Sequence, residues 1–227
     1  MNAGEKQRAP WIVGVSGASG TPYAAAVLRA LIAAGESVDL VVSRAARLTL
    51  LDETGISFRD AHWRDDLREW LARGADGKPD AFTCGLDDVR YWSPGDLAAG
   101  PSSGSYPVKG MLIVPASTAC VAGVALGLSK DLLQRAASVT LKERRRLVVA
   151  VRETPLNGQT LRHLVALDDA GASVVPASPG FYAGATHIQD LVDFVAGRVL
   201  DAAGVEHGLY RRWKGDLGGG AAPAPTR

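Results

Sequence analysis

Hydrophobic residues along the chain form short apolar runs that alternate with longer amphipathic stretches. Five of these runs are bounded by Gly, Ser or charged residues, which is typical of buried strands. They are Trp11–Ser16, Ser37–Ser43, Met111–Val114, Leu147–Val151 and Ser173–Val175. Their short length and nearly continuous apolar character favour strands that are covered on both faces.

The stretches between these runs predict seven helices. The clearest is His187–Ala203, where apolar residues recur every three or four positions and Gly204 follows the last of them. Ser129 is the predicted N-cap of one helix, with Asp131 in its first turn. The other six predicted helices are Pro22–Ala34, Arg44–Glu53, Asp60–Ala72, Ser117–Leu126, Lys130–Arg144 and Asn157–Ala170.

Strands that alternate with helices predict an α/β fold, in which helices cover both faces of a parallel sheet. Residues 74–110 are rich in Gly, Pro and Ser and are predicted to be irregular. A loop of that length usually serves function or contacts between subunits. Residues 1–214 are predicted to form one domain, and residues 215–227, mostly Gly, Ala and Pro, a disordered tail.

Composition narrows the class of protein. Lys and Arg number 25 and Asp and Glu 24, so no basic excess points to nucleic acid or to an anionic membrane. Two cysteines are too few for a disulfide framework, and a reducing compartment, the cytoplasm, is expected. The four histidines lack metal-site spacing, and the polar N-terminus has no signal-peptide pattern.

One uncharged stretch, Gly110–Ser129, has 20 residues, which is long enough for a membrane-spanning helix. Pro115, Ser117 and Thr118 interrupt it near its middle, and Gly and Ala dilute the rest. A buried strand followed by a close-packed helix is therefore favoured, and no membrane span is predicted.

In parallel sheets of this kind, ligands bind outside the carboxyl ends of the strands. Small, hydroxylic or charged residues follow all five predicted strands. These residues are Gly17–Gly20, Ser43–Arg44, Pro115–Thr118, Arg152–Glu153 and Pro176–Tyr182.

The first of these turns, Gly17–Gly20, lies between a strand and a helix, where backbone N–H groups can bind an anion. No Lys follows it as in a nucleoside triphosphate loop, and no acid follows the second strand to bind a ribose. A monophosphate such as FMN is therefore favoured over NAD. A tight turn without a ligand remains the alternative.

Three other features have a structural and a functional interpretation, and the residues alone leave both open. Arg135 and Lys142 share one helix face, which is either solvated or binds an anion. Arg152 and Glu153 form either a strand-end salt bridge or a phosphate clamp beside an acid–base group. The Ser- and Gly-rich segment Ser102–Ser105 is either a linker or a phosphate cradle. Cys120, within an apolar run, is predicted to be buried and inert.

Seven segments, in this order, resemble UbiX-type flavin prenyltransferases. The resemblance extends from Ile12 to about Trp213, and the fifth and sixth segments together are highly specific. The segments are IVGVSGASGTPYAAAVLRAL, VVSRAAR, SSGS, IVPAST, RAASVTLKERRRLVVAVRETPL, PASPGFY and DLVDFVAGRVL.

The resemblance implies a Rossmann-like three-layer sandwich with a mainly parallel sheet. It implies transfer of a dimethylallyl group from dimethylallyl phosphate to reduced FMN, with new bonds at flavin N5 and C6 and without a metal. The prenylated FMN would serve a UbiD-type decarboxylase. Homododecamers with active sites between subunits are expected.

The resemblance also assigns residues. Those expected to bind FMN are Gly17, Ala18, Ser19, Ser43, Ser117, Thr118, Ala119, Cys120 and Arg135. Those expected to bind the dimethylallyl phosphate are Trp92, Ser103, Gly104, Lys142, Arg152, Glu153, Tyr182 and Arg198, with Trp92 beside the prenyl group. Glu153, Lys142, Tyr182 and Arg152 are the expected catalytic residues, and Glu153 would move protons.

Two positions depart from the family pattern: Ala116, where Cys is frequent, and Cys120, where Thr is frequent. Neither belongs to the phosphate-binding set, so activity is expected to persist. One alternative is a cysteine decarboxylase of the same fold group, but that enzyme needs a catalytic His near the end of the third predicted strand, where none occurs. The other is a flavin carrier, which needs none of Glu153, Lys142 and Tyr182.

Overall fold

The structure, a computed structural model, describes residues 8–78, 82–83, 85–213 and 215. Six parallel strands form one sheet in the order β3-β2-β1-β4-β5-β6. They are β1 (Trp11–Val15), β2 (Val38–Val42), β3 (Val89–Trp92), β4 (Gly110–Ala116), β5 (Arg146–Val151) and β6 (Ser173–Pro176). The predicted α/β fold with a parallel sheet is confirmed, and strand order reverses between β1 and β4.

Seven α-helices connect or follow the strands. They are α1 (Thr21–Ala33), α2 (Arg44–Thr54), α3 (Trp63–Leu71), α4 (Thr118–Ala125), α5 (Leu132–Lys142), α6 (Gly158–Asp169) and α7 (Ile188–Ala203). All seven were predicted within a few residues.

Two hydrophobic clusters cover the two faces of the sheet. On one face, Val13, Leu40 and Leu112 pack against α1, α3 and α7. On the other face, Ile12 and Met111 belong to a cluster that includes residues of α4 and α5. Successive strand residues therefore serve opposite faces of the sheet, and both faces are apolar, which explains the continuous apolar runs in the sequence.

The segment predicted to be irregular, residues 74–110, contains a strand. Val89–Trp92 form β3, which pairs with Val38–Val41 at the edge of the sheet. β3 has only four residues, and one of them, Arg90, is exposed, so its sequence lacks the continuous apolar pattern of a buried strand. Pairing with β2 therefore decides their conformation, and the sequence pattern does not.

The start of α5 also differs from the prediction. Asp131 is its N-cap and accepts a hydrogen bond from Gln134 N at 2.9 Å. Ser129 instead lies in a left-handed turn, with φ of 50°. In addition, the helix predicted at residues 60–72 begins with a short 3₁₀ turn, Asp60–His62, before α3.

The uncharged stretch weighed as a membrane span forms buried β4 and then α4, as predicted. In the described part of the chain, no helix is both long enough and apolar enough to cross a membrane. Except for Gly215, the predicted tail lies outside the described residues.

Candidate active site at the carboxyl edge of the sheet

A cavity of about 380 Å³ opens where strand order reverses, at the carboxyl ends of β1, β2 and β4. Ser16 and Gly17 after β1 line it, as do residues at the starts of α2, α4 and α5. Its position follows the general rule for ligand sites in open parallel sheets. Five of the predicted FMN-binding residues line it: Gly17, Ser43, Ser117, Ala119 and Cys120.

The starts of three helices converge on this cavity, and a side chain caps each of them. The Oγ atoms of Ser43 and Ser117 accept hydrogen bonds from Ala46 N and Cys120 N at 3.1 and 3.3 Å. Asp131 caps α5 in the same way. The N-terminal end of a helix carries partial positive charge, so the starts of α2 and α4 favour an anionic ligand, whereas the carboxylate of Asp131 neutralises the start of α5.

Close backbone approach shapes the wall of the cavity. A Cβ on Gly17 would lie 2.4 Å from Cβ of Ala45, so only Gly lets the turn after β1 approach the start of α2. Ser16 Oγ donates to the Pro115 carbonyl at 2.8 Å and accepts from Ser117 N at 2.7 Å. Ser16 therefore joins the ends of β1 and β4.

One residue that contacts the start of α1 could not be identified from the sequence. Glu53, at the end of α2, accepts hydrogen bonds from Gly20 N and Thr21 N, both at 2.8 Å, and from Thr21 Oγ1 at 2.6 Å. Burial raises the pKa of Glu53, but hydrogen bonds from Thr21, Ser19 and Gly20 outweigh burial and lower it. The chain's own carboxylate thus occupies the N–H groups that were expected to bind an anion.

Arg152 and Glu153, which follow β5, do not form the salt bridge that one interpretation predicted. Arg152 Nε donates to the Ser19 carbonyl at 3.0 Å, so its side chain reaches the turn after β1. Glu153 is exposed, and its Oε1 accepts a hydrogen bond from Thr154 N at 3.0 Å. Ser19 and Arg152 therefore lie together, with Glu153 adjacent.

A second group of predicted residues surrounds the Ser- and Gly-rich segment. A Cβ on Gly104 would lie 2.6 Å from Lys142 Nζ, and Lys142 forms an ion pair with Glu143. Arg145 donates to the Gly104 carbonyl at 2.7 Å, and Arg135 Nε donates to the Ser102 carbonyl at 3.1 Å. Arg135, assigned to FMN by resemblance, thus contacts this segment in the isolated chain.

A third group lies around α7. The Tyr182 ring packs edge-on against Phe194 and Trp213, with centroids 5.4 and 6.1 Å apart. Arg198 Nη1 donates to Asp201 Oδ2 at 3.0 Å, and Tyr210 OH lies 3.4 Å from the same nitrogen.

Three predicted residues, Ala18, Thr118 and Trp92, do not line the cavity, whereas Cys120 does. Ala18 is buried, and Thr118 is the first residue of α4. Trp92, at the end of β3, packs against the hydrophobic cluster that contains Ile12 and Met111. The Arg90 guanidinium lies 5.6 Å from the centroid of its ring. Cys120 is buried as predicted, and burial together with the charge of Asp131 raises the pKa of its thiol to about 12.

Comparison with known proteins decides the family. The Flavoprotein family profile matches residues 2–200. A flavin prenyltransferase UbiX from Streptomyces coelicolor is 91% identical over 210 residues, which cover 92% of this chain and 97% of that protein. The chain belongs to the flavin prenyltransferase UbiX family. The family resemblance found in the sequence is thereby confirmed.

Solved structures of UbiX proteins share the fold. The crystal structure of AnUbiX (PadA1) in complex with FMN and dimethylallyl pyrophosphate is 35% identical, covers 92% of this chain and 98% of its own, and has a TM-score of 0.77. A dodecameric FMN-dependent UbiX-like decarboxylase from Escherichia coli O157:H7 is 36% identical, covers 91% and 100%, and has a TM-score of 0.76. The Rossmann-like α/β fold of this UbiX family member is therefore shown.

Proposed function

We propose that the protein transfers a dimethylallyl group from dimethylallyl phosphate to reduced FMN, producing prenylated FMN for a UbiD-type decarboxylase. The observation that carries the proposal is the cavity at the strand-order reversal, which the starts of α2 and α4 line together with Arg44 and Lys130. The similar UbiX structure that contains FMN and dimethylallyl pyrophosphate supports the same assignment.

The residues that line the cavity fit FMN. The starts of α2 and α4, with Ser43 and Ser117, suit its phosphate, because their free N–H groups and positive helix ends favour an anion. Leu133, Ala119 and Cys120 provide an apolar wall for a flat ring system. When bound, reduced FMN supplies the nucleophilic ring atoms that accept the dimethylallyl group.

Three cations suit the donor phosphate. They are Lys142 beside the Ser- and Gly-rich segment, Arg198 on α7, and Arg152 after β5. Departure of an allylic phosphate leaves negative charge on its oxygens, and fixed Arg and Lys side chains stabilise that charge as it develops. Arg152, Lys142 and Arg198 have this role in the proposal, with Ser103, Gly104 and Tyr182 as further donor contacts. Glu153, exposed beside Arg152, moves protons during phosphate loss and ring closure.

One chain does not supply the whole site. Lys142 ends α5 just before β5 begins, at the amino edge of the sheet, whereas the cavity lies at the start of α5. A helix of 11 residues is about 16 Å long. We therefore propose that Ser103, Gly104 and Lys142 of one subunit complete the cavity of another, as in a homododecamer.

The two alternative functions are disfavoured for different reasons. A cysteine decarboxylase needs a His near the end of β4, where this chain has Ser117, Thr118 and Ala119. A flavin carrier needs no cation at the donor phosphate, yet Arg152 is held against the turn after β1.

Anaerobic incubation with reduced FMN and dimethylallyl monophosphate or diphosphate tests the proposal. We expect a flavin whose mass increases by one isoprene unit and whose absorbance spectrum changes, with one donor preferred. Unchanged FMN recovered from both reactions would leave the carrier as the better assignment. Conversion of a peptidyl or pantothenoyl cysteine would instead support the decarboxylase.

A further inference from the structure

One arginine joins the Ser- and Gly-rich segment Ser102–Ser105 to the end of α5. The guanidinium of Arg145 donates from two different nitrogens, to the Gly104 carbonyl at 2.7 Å and to the Tyr106 carbonyl at 2.9 Å. Hydrogen bonds from a charged donor are stronger than neutral ones, and the planar fork of Arg can hold two acceptors at once. Arg145 therefore fixes the backbone of this part of the chain at two positions.

The backbone of Arg145 is itself fixed by the elements around it. Its N–H donates to the Thr140 carbonyl in the last turn of α5 at 2.9 Å, after a left-handed turn at Arg144 with φ of 53°. The next residue, Arg146, begins β5, which lies between β4 and β6 in the sheet. A residue held between a helix end and an internal strand has little backbone freedom, so Arg145 is a rigid anchor for the segment.

Other donors of the chain engage the neighbouring carbonyls of the segment. Arg135 Nε donates to the Ser102 carbonyl at 3.1 Å, and Tyr106 N donates to the Ser103 carbonyl at 3.2 Å. Backbone carbonyl oxygens repel a phosphate, and these bonds direct them to the chain's own donors instead. The hydroxyls of Ser103 and Ser105 are exposed, with their Oγ atoms 3.0 Å apart, and can donate to an anion.

The anchored segment also brings Gly104 close to Lys142. A Cβ on Gly104 would lie 2.6 Å from Lys142 Nζ, so the backbone approaches this ammonium group closely. Lys142 ends α5 three residues before Arg145, so the bond from Arg145 to the Gly104 carbonyl sets the distance between the segment and the ammonium group. Without that bond, a Ser- and Gly-rich backbone would have to be ordered when a ligand binds, which weakens binding.

We propose that Arg145 is a positioning residue, which holds the segment Ser102–Ser105 beside Lys142 and thereby preforms a site for the donor phosphate. The inference rests on the proposed function, in which Ser103, Gly104 and Lys142 bind the donor. The guanidinium acts through its bonds to two backbone carbonyls, and the residues that it positions make the contact with the phosphate.

Arg145→Gln and Arg145→Lys test the proposal on the assembled protein loaded with oxidised FMN, which lacks the reduced flavin that transfer needs. Gln has no charge and is too short to reach both carbonyls, whereas Lys keeps the charge but has no planar fork. Arg144→Gln is the matched control, since it removes the same charge from an adjacent, exposed side chain.

Four measurements are made on each protein. Amide hydrogen exchange without donor reports the order of the segment, because the N–H groups of Ser103 and Tyr106 donate to the carbonyls of Gly100 and Ser103. Calorimetry gives the affinity for dimethylallyl monophosphate, and fluorescence titration gives the affinity for FMN. Light scattering gives the mass of the assembly.

We expect both Arg145 variants to exchange these amides faster and to bind the donor about tenfold more weakly, the change produced by loss of a hydrogen bond to a charged group. FMN affinity is expected to stay unchanged, since neither Arg145 nor the segment lines the cavity assigned to FMN. The mass of the assembly is expected to stay unchanged as well. The control is expected to match the original protein in all four measurements.

Unchanged amide exchange in Arg145→Gln overturns the proposal. Normal donor affinity in Arg145→Lys overturns it too, because charge alone would then explain the role of Arg145, and so does an equal loss of donor affinity in Arg144→Gln. Equal losses of donor and FMN affinity, or a smaller assembly, would show that Arg145 is merely structural. Failure of the original protein to bind the donor would instead contradict the proposed function, and the exchange measurement would still report whether Arg145 fixes the segment.

Discussion

Backbone carbonyls and N–H groups orient three of the charged side chains near the predicted site. Arg152 is held by the Ser19 carbonyl, Arg135 by the Ser102 carbonyl, and Glu53 by the N–H groups of Gly20 and Thr21. Such partners are fixed by the fold, so they orient these side chains before a ligand arrives. Glu153 differs, because its carboxylate is exposed and its hydrogen bond is to the adjacent Thr154 N.

Glu153→Gln is expected to slow prenyl transfer by about 10²–10⁴-fold, because Gln keeps the size of the side chain but cannot carry a proton. FMN affinity is expected to change little, since Glu153 does not line the cavity. Single-turnover adduct formation and fluorescence titration with FMN measure the two effects. Near-normal turnover would show that Glu153 has no proton-transfer role, and loss of FMN would place it at the cofactor.

Gly17→Ala is expected to weaken FMN binding, because the added Cβ would lie 2.4 Å from Cβ of Ala45 and force the turn away from α2. Forced repacking of this kind costs about 1–3 kcal/mol. Gly158→Ala is the matched control, because a Cβ on Gly158 would meet only the end of the Arg162 side chain, at 3.7 Å. Titration with FMN measures the affinity of both variants. Equal affinities would contradict the inference that the turn after β1 needs Gly17 to approach α2.

At the scale of residues, the sequence identifies cavity-lining residues that directly follow strands, such as Ser43 and Ser117. The reason is that the carboxyl ends of parallel strands meet at one edge of the sheet. Glu53 could not be found in this way. It comes ten residues after the second strand, and only the packing of α2 beside α1 brings it to Gly20.

At the scale of elements, apolar runs predict β1, β2, β4, β5 and the short β6 on their own. β3 is not predictable in this way, since three of its four residues are exposed or partly exposed and β2 provides its hydrogen-bonding partners. The start of α5 shows a second limit. Ser129 and Asp131 are both good N-caps, and the tight turn after α4 decides between them.

The C-terminal end of α7 depends on one carboxylate. Asp201 accepts hydrogen bonds from Arg198, Tyr210 and Arg212, at 3.0 Å from Arg198 and 2.8 Å from Arg212, and pairs with buried His207 at 3.1 Å. Burial raises the pKa of Asp201, but hydrogen bonds from Tyr210, Arg212 and His207 outweigh burial and lower it to about 2. Residues 207–212 are thereby joined to α7.

Asp201→Asn is expected to destabilise the protein in a pH-dependent way. A lowered pKa in the folded state means that the carboxylate stabilises the fold above its unfolded pKa of about 4. That contribution is lost as pH falls toward about 2. Urea unfolding from pH 3 to pH 7 should therefore show a stability difference that is largest at pH 7 and shrinks with acid.

Asp168→Asn, a change at an exposed acid on α6, is the control for that series and is expected to unfold like the original protein at every pH. A difference between Asp201→Asn and the original protein that stays constant across the pH range would contradict the assigned role of the charge.

At the scale of the whole molecule, exposed apolar side chains indicate where subunits meet. Leu126 follows α4, and Leu161 and Val165 lie on α6, which packs beside α4; their exposed fractions are 61%, 48% and 60%. Clustered exposure of this kind usually marks an interface between proteins. It agrees with the proposal that Ser103, Gly104 and Lys142, which lie at the edge of the sheet opposite the cavity, complete the site of another subunit.

Val165→Glu is expected to break the assembly into smaller species, because an uncompensated charge buried at an interface costs about 3–5 kcal/mol. Light scattering measures the mass, and Gln159→Glu adds the same charge to an exposed polar position of α6 as a control. The smaller species should still bind FMN, since the lining of the cavity comes from one chain. The proposed completion of the site by Lys142 of another subunit predicts that this smaller species loses prenyl transfer. A monomer that turns over at the normal rate would show that one chain contains the complete site.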